Sequence, residues 1–181
     1  MKRKMVSIRE MCHMGIFVAI IAICAQLAIP LPGGVPLTMQ TWAITLAGLL
    51  LGAKNGALAT LVYVLLGIVG APVFSNFGGG LGIVLGPSGG FILSFPIMAL
   101  LAGIGESKRS IAWLIGSLIG GTLVNFLAGM IYFGAVMSSS LQVSFAAAVA
   151  PFIPSAVIRI ILLPVISKGI KAALLRSKVA V

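Results

Sequence analysis

Apolar residues run through this chain in long blocks, and charged residues collect in the short gaps between them. No Lys, Arg, Asp or Glu occurs across residues 11–53, 55–105 or 110–158. One α-helix needs about 20 apolar residues to cross the hydrocarbon core of a bilayer, so each block has room for a pair of helices. Breaks at the proline- and glycine-rich gaps and at the charges predict helices over residues 14–29, 36–51, 55–69, 88–104, 111–136 and 151–170. The run Pro30-Leu31-Pro32-Gly33-Gly34-Val35-Pro36 cannot continue a helix, since proline lacks an amide donor and clashes with the preceding turn. Gly52-Ala53-Lys54-Asn55-Gly56 reads as a tight hairpin between the second and third helices. Pro96 and Pro164 fall inside helical patterns and are expected to kink or break the fourth and sixth. Residues 14–29 follow basic residues, but no A-x-A cleavage site comes after them, so they read as a helix and not a leader. Nothing marks a second domain, and the expectation is an all-α integral membrane protein, one six-helix bundle over residues 1–181.

Composition agrees with this pattern. The 181 residues are 60% hydrophobic and 8% charged, with a mean hydropathy of +1.24. A soluble domain carries roughly a quarter charged residues, so this much apolar surface calls for lipid as its solvent. The net charge of +10 raises nucleic acid as a partner, but the basic residues sit at helix ends and not along one solvated face. Lys2, Arg3, Lys4 and Arg9 precede the first helix, Lys54 joins the second to the third, and Lys108 and Arg109 join the fourth to the fifth. Lys168, Lys171, Arg176 and Lys178 gather at the chain's end, whereas the loops near residues 30–36, 70–87 and 135–150 carry no charge. Of the 12 basic residues only Arg159 lies on neither charged side; the positive-inside rule then puts both termini in the cytoplasm.

Arg159 is the charge that needs an explanation. It falls about eight residues into the sixth predicted helix, roughly 12 Å from its outer end. Placing a cation there costs about 2.5–3.5 kcal/mol on insertion scales. The only acidic residues, Glu10 and Glu106, belong to the cytoplasmic side. Either the guanidinium snorkels outward or bonds backbone carbonyls, or its partner is the carboxylate of a ligand, held by parallel hydrogen bonds. Polar groups suited to such a pocket are Thr38, Gln40 and Thr41, with Tyr63, Asn76, Ser88 and Ser155, and Phe74 is an apolar candidate beside them; Asn125 fits interhelical bonding better. The stretch FGGGLGIVLGPSGGF over residues 77–91 reads as an outer connector with close helix packing, or as backbone lining a pocket. It is not a phosphate-binding loop, because no Lys-Ser or Lys-Thr follows. His13 has no second His or carboxylate beside it, and Cys12 and Cys24 lack metal or redox spacing, so neither a metal site nor a cofactor is expected. An intramembrane hydrolase would need a nucleophile with its base, or paired carboxylates, and neither pattern is present. An anion channel or a structural membrane protein is the competing class.

Several stretches taken together resemble the BioY family, the substrate-binding (S) components of energy-coupling factor (ECF) vitamin transporters. They are VPLTMQTWAITLAGLLLGAKNGALA at 35–59, YVLLGIVGAPVFSNFGGGLG at 63–82, LGPSGGF at 85–91 and PFIPSAVIR at 151–159. The resemblance implies a non-enzymatic six-helix domain in the cell membrane of a bacterium. It would capture biotin from outside and deliver it through a transmembrane coupling subunit driven by two ATPases. It also implies that Gly15 and Ala19 form a small-residue contact surface for the coupling subunit. Where the family typically reads Pro-Gly-Asp-x-x-Lys, this chain reads Pro154-Ser155-Ala156-Val157-Ile158-Arg159. The cation is kept as arginine and the acid is lost. Asn76, Ser155 or Gln40 could accept the ureido N–H groups in its place, or the cargo could be lipoate, which has a valerate carboxylate and no ureido group.

Overall fold

The computed structural model describes residues 7–108 and 110–176, so Lys2, Arg3, Lys4, Arg109 and Lys178 lie outside the described residues. Its helices are α1 (Ile8–Gln26), α2 (Gln40–Ile68), α3 (Leu81–Val84), α4 (Gly89–Ser107), α5 (Ile111–Met137), α6 (Leu141–Ala148) and α7 (Ile153–Arg176). A small ribbon pairs β1 (Ala28–Ile29) antiparallel to β2 (Leu37–Thr38), with Ala28 opposite Thr38. Single 3₁₀ turns occupy Ser75–Phe77 and Ala150–Phe152. Among the described residues, five helical stretches are long and apolar enough to cross a membrane.

The longest of these, α2, is not one straight rod. On a continuous helix, residues 40 and 63 would stand about 34 Å apart, yet Gln40 Nε2 donates to Tyr63 Oη at 2.6 Å. The chain therefore folds back between them, and the reversal is at Gly52, whose φ of 81° and ψ of 172° are non-helical. The predicted hairpin is there but tighter: Lys54, Asn55 and Gly56 already belong to the second arm. A methyl on Gly56 would meet Gly48 Cα at 2.7 Å, so the arms (40–51 and 53–68) touch backbone to backbone. Gly52 occupies a region almost restricted to glycine, and Gly52→Ala is expected to cost about 1–3 kcal/mol. The check is the thermal unfolding midpoint in detergent. It should fall for Gly52→Ala and not for Gly15→Ala, where a Cβ would meet nothing within 4 Å.

Helix ends differ from the sequence reading for identifiable reasons. α1 starts at Ile8, not residue 14, because Ser7 and Glu10 form a capping box: Glu10 N donates to Ser7 Oγ at 3.2 Å and Ser7 N donates to Glu10 Oε2 at 2.7 Å. It stops at Gln26, and the next helix begins at Gln40 and not at residue 36, because the intervening ends are drawn into the ribbon. The charge-free loop near 135–150 contains α6, started by Ser140 Oγ accepting from Val143 N and set off from α5 by Ser138 in the left-handed region at φ 50°. Pro96 and Pro164 lie inside α4 and α7 without ending either helix.

α4 is the central strut. A methyl on Gly103 would collide with the backbone of Ala53, and one on Gly90 with the carbonyl of Ala128. Glycine at these two positions is what lets α4 close on α2 and on α5. The buried core gathers Ile21, Ile44, Tyr63, Phe74, Phe95 and Met98. Outward-facing apolar side chains are left uncovered along the long helices, for example Trp113, Ile131, Ile161 and Val165. Water would penalise that surface and lipid does not.

Candidate functional site

Where the connectors 27–39 and 69–88 meet α2, α4, α5 and α7, the bundle encloses a cavity with about 660 Å³ of empty space, mouth included. Like small-molecule sites in general, it combines apolar walls with a few convergent polar groups. The walls here are largely aromatic, and Phe91 stacks on Phe152 with ring centroids 6.0 Å apart and 26° between planes. Two of the rings rest on glycines. A Cβ at Gly129 would overlap the Phe91 ring and one at Gly67 would overlap the Phe74 ring.

Arg159 reaches this cavity from the second turn of α7 and is 4% exposed. Its one hydrogen bond within the described protein runs from Nη2 to Thr122 Oγ1 on α5, at 2.8 Å. Nε is the one buried side-chain N or O atom among the described residues without a partner. No carboxylate approaches it. Glu106 pairs with Lys171 at 2.6 Å, and Glu10 is engaged with Ser7 and Asn55. Snorkelling is excluded, because the group points into the bundle, and backbone carbonyls do not receive it. The site therefore holds a buried cation with spare donors and no internal counter-charge.

The other polar groups are held by networks. Gln40 is 6% exposed; its Nε2 donates to Tyr63 Oη, and Tyr63 Oη donates to the Val73 carbonyl at 2.9 Å. Ser155 Oγ accepts from Trp42 Nε1 at 3.1 Å, tying α7 to the first arm of α2. Asn125 Nδ2 donates to the Phe91 carbonyl at 3.0 Å and to Ser94 Oγ at 2.8 Å. A carbonyl can only accept, so the atom facing Phe91 must be the NH₂. The amide orientation of Asn125 is thereby fixed and its Oδ1 is kept off α4.

Of the residues singled out in the sequence, the fold brings Thr38, Gln40, Phe74, Ser88, Ser155 and Arg159 onto one cavity, along with Thr41, Asn125 and Ala156. Tyr63 is fully buried behind the wall, where it supports Gln40 and meets the Phe74 ring edge-on at 5.7 Å. Asn76 is exposed, at φ 56°, and lines an outer depression that shares Pro36, Ser75, Ile83 and Ser88 with the main cavity. It does not line the main cavity itself. The glycine-rich stretch has both of the roles considered for it. Ile83 and Ser88 line the cavity, while Gly89 and Gly90 pack closely against their neighbours. Gly15 and Ala19 lie exposed on the outer side of α1.

Four contributing residues were not singled out in the sequence. Thr122 holds Arg159. Phe91 and Phe152 form the stacked wall. Gln26 clamps the connector, with Nε2 donating to the Phe74 carbonyl at 3.0 Å and Oε1 accepting from Phe77 N at 2.8 Å. A polar residue near the end of an apolar helix was the available signal for Gln26. The aromatic pairing comes from helices remote in sequence and left none.

The comparisons with known proteins agree with the fold. Residues 1–176 match the family model described as the BioY family. A protein of Pyrococcus horikoshii described as a probable biotin transporter BioY is 44% identical over 61% of this chain and 68% of its own. The biotin transporter BioY of Rhodobacter capsulatus is 34% identical over 90% of this chain and 93% of its own. A crystal structure of the S-component for biotin from an ECF-type ABC transporter superposes with a TM-score of 0.80 at 28% identity, covering 91% of this chain and 92% of that one. With a cavity formed by the same segments that carry the sequence likeness, and matches along nearly its whole length, this chain belongs to the BioY family.

Proposed function

We propose that this chain is the biotin-binding S component of an ECF transporter in the plasma membrane of a bacterium. In this reading residues 1–181 form a single domain of six membrane-crossing helices, counting the two arms of α2 separately, with both termini in the cytoplasm. Biotin enters from the connector side. A transmembrane coupling subunit and two ATPases supply the energy, and the exposed Gly15 and Ala19 offer the coupling subunit a surface for close approach. The chain contributes binding and no chemistry of its own.

The observation that carries the reading is the buried, unneutralised Arg159 in an aromatic cavity. A cargo with an apolar body and a carboxylate supplies both missing parts. The carboxylate takes the free guanidinium donors, and the body displaces water from the phenylalanine walls. The ureido N–H groups need acceptors, which Gln40, Ser155 and the fixed Oδ1 of Asn125 provide in place of the acid absent at Ala156. Lipoate, the alternative suggested by that absence, is not the cargo named for the relatives above, which is biotin.

The direct test is to purify the protein in detergent, identify any co-purified small molecule by mass spectrometry, and titrate with biotin and with lipoate. Micromolar or tighter binding of lipoate with none of biotin would overturn the assignment. Fluorescence should follow one tryptophan only. Trp42 is bonded to the cavity residue Ser155, whereas Trp113 is exposed on the lipid face. Trp42→Phe is expected to abolish the biotin-dependent signal and Trp113→Phe to keep it; the reverse pattern would put the cargo elsewhere.

A further inference from the structure

We propose that Thr122 is the positioning residue for cargo recognition. It never touches the vitamin but presets the Arg159 guanidinium toward the cavity, and so sets the preference for a carboxylate. The inference rests on the reading that Arg159 meets the cargo's carboxylate.

A threonine hydroxyl has one proton to give. Thr122 Oγ1 gives it to the Leu118 carbonyl one turn back on α5, at 2.8 Å. Its lone pairs are then fixed in direction, and one of them receives Arg159 Nη2 at 2.8 Å. Thr122 is 6% exposed, so water does not substitute for this bond. The geometry also says from which side the guanidinium is held. Thr122 does not line the cargo cavity. It lines an apolar groove on the lipid side between α5 and α7, and Phe126 and Ala156 border both spaces. The wall at this depth is one side chain thick, and the hydroxyl holds the cation from behind, leaving its remaining donors for the cargo.

Without that hydroxyl the guanidinium keeps no hydrogen bond among the described residues. The ordering of a long, flexible side chain then falls on the ligand at the moment of binding. Loss of the hydroxyl should therefore weaken recognition of the carboxylate and leave recognition of the apolar body nearly intact.

The test compares Thr122→Val, which keeps the shape and removes the hydroxyl, with Thr122→Ser, which keeps the hydroxyl. Each is titrated calorimetrically with biotin and with its primary amide. The wild-type protein should prefer biotin; Thr122→Val should cut that preference about tenfold, and Thr122→Ser should retain it. Thr122→Ala serves if the valine variant does not fold. Equal weakening of both ligands by Thr122→Val, or no change in either, would make Thr122 a packing residue and overturn the proposal. A wild-type protein with no preference for biotin over its amide would overturn the carboxylate reading itself, and this inference with it. That failure is recognisable because it appears before any substitution is made.

Discussion

Arg159→Met is expected to stabilise the cargo-free protein and at the same time to weaken biotin binding on the order of a hundredfold or more. The two effects have one cause. The guanidinium is 4% exposed and, among the described residues, is bonded only to Thr122 and has no acidic neighbour. Replacing a buried ion pair by apolar side chains of similar volume is often neutral or stabilising by about 1–4 kcal/mol, and here no internal counter-charge is left stranded. Removing one partner of a buried charge pair costs about 2–5 kcal/mol of affinity. A rise in the cargo-free unfolding midpoint together with a loss of affinity is a signature that a structural arginine would not give. If both stability and affinity fell, Arg159 would be holding the bundle together and not awaiting cargo.

Filling the glycine seats behind the aromatic walls is expected to have the next largest effect. Phe91 and Phe74 are 6% and 1% exposed and both line the cavity. A methyl at Gly129 or Gly67 occupies the space of their rings. The open space beside each ring is the cavity, so displacement into it is the expected response. Overpacking of this kind costs about 1–3 kcal/mol, and here much of that should appear as lost affinity, about tenfold for either Gly129→Ala or Gly67→Ala. Gly169→Ala, where a Cβ would meet nothing within 4 Å, is the control and should bind normally. Reduced stability with unchanged biotin affinity would mean that the rings retreat away from the cavity.

The membrane class, most helix positions and the oddity of a lone Arg159 among apolar residues were legible in the sequence, because each rests on a local cost. A charge among apolar residues, or a Pro/Gly run in a helical pattern, is unfavourable wherever the chain goes next. Convergence onto one cavity is a tertiary fact, and the residues that share a wall come from segments far apart. Tyr63 was read as a group suited to the pocket; the fold buries it behind the wall, its hydroxyl shared between Gln40 and the Val73 carbonyl. Asn76 was read as a candidate acceptor; the fold leaves it exposed on the connector in a left-handed conformation at φ 56°, which side-chain chemistry does not reveal. Thr122 was invisible for the opposite reason. A single threonine in an apolar helix usually bonds its own preceding turn, as this one does, and only the fold supplies the guanidinium that turns this bond into an anchor. The start of α1 was hidden by the basic residues around it, although Ser7 and Glu10 carry the spacing of a capping box.

Residues 69–80 are held to the bundle by few bonds, with Gln26 gripping Phe74 and Phe77, Tyr63 gripping Val73, and the Gly80 amide donating to the Gly67 carbonyl at 2.7 Å. Phe74 lines the cavity from this connector. Movement of the connector would therefore open the site without disturbing α4, the strut on which both halves pack.

The most direct measurement of the central claim is a calorimetric titration of the unmodified protein with biotin and with biotin primary amide. Neutralising the cargo should weaken binding by on the order of a hundredfold, because the amide leaves the guanidinium charge uncompensated. Equal affinity for the two ligands would show that the buried cation of α7 does not wait for an anion, and would contradict the account.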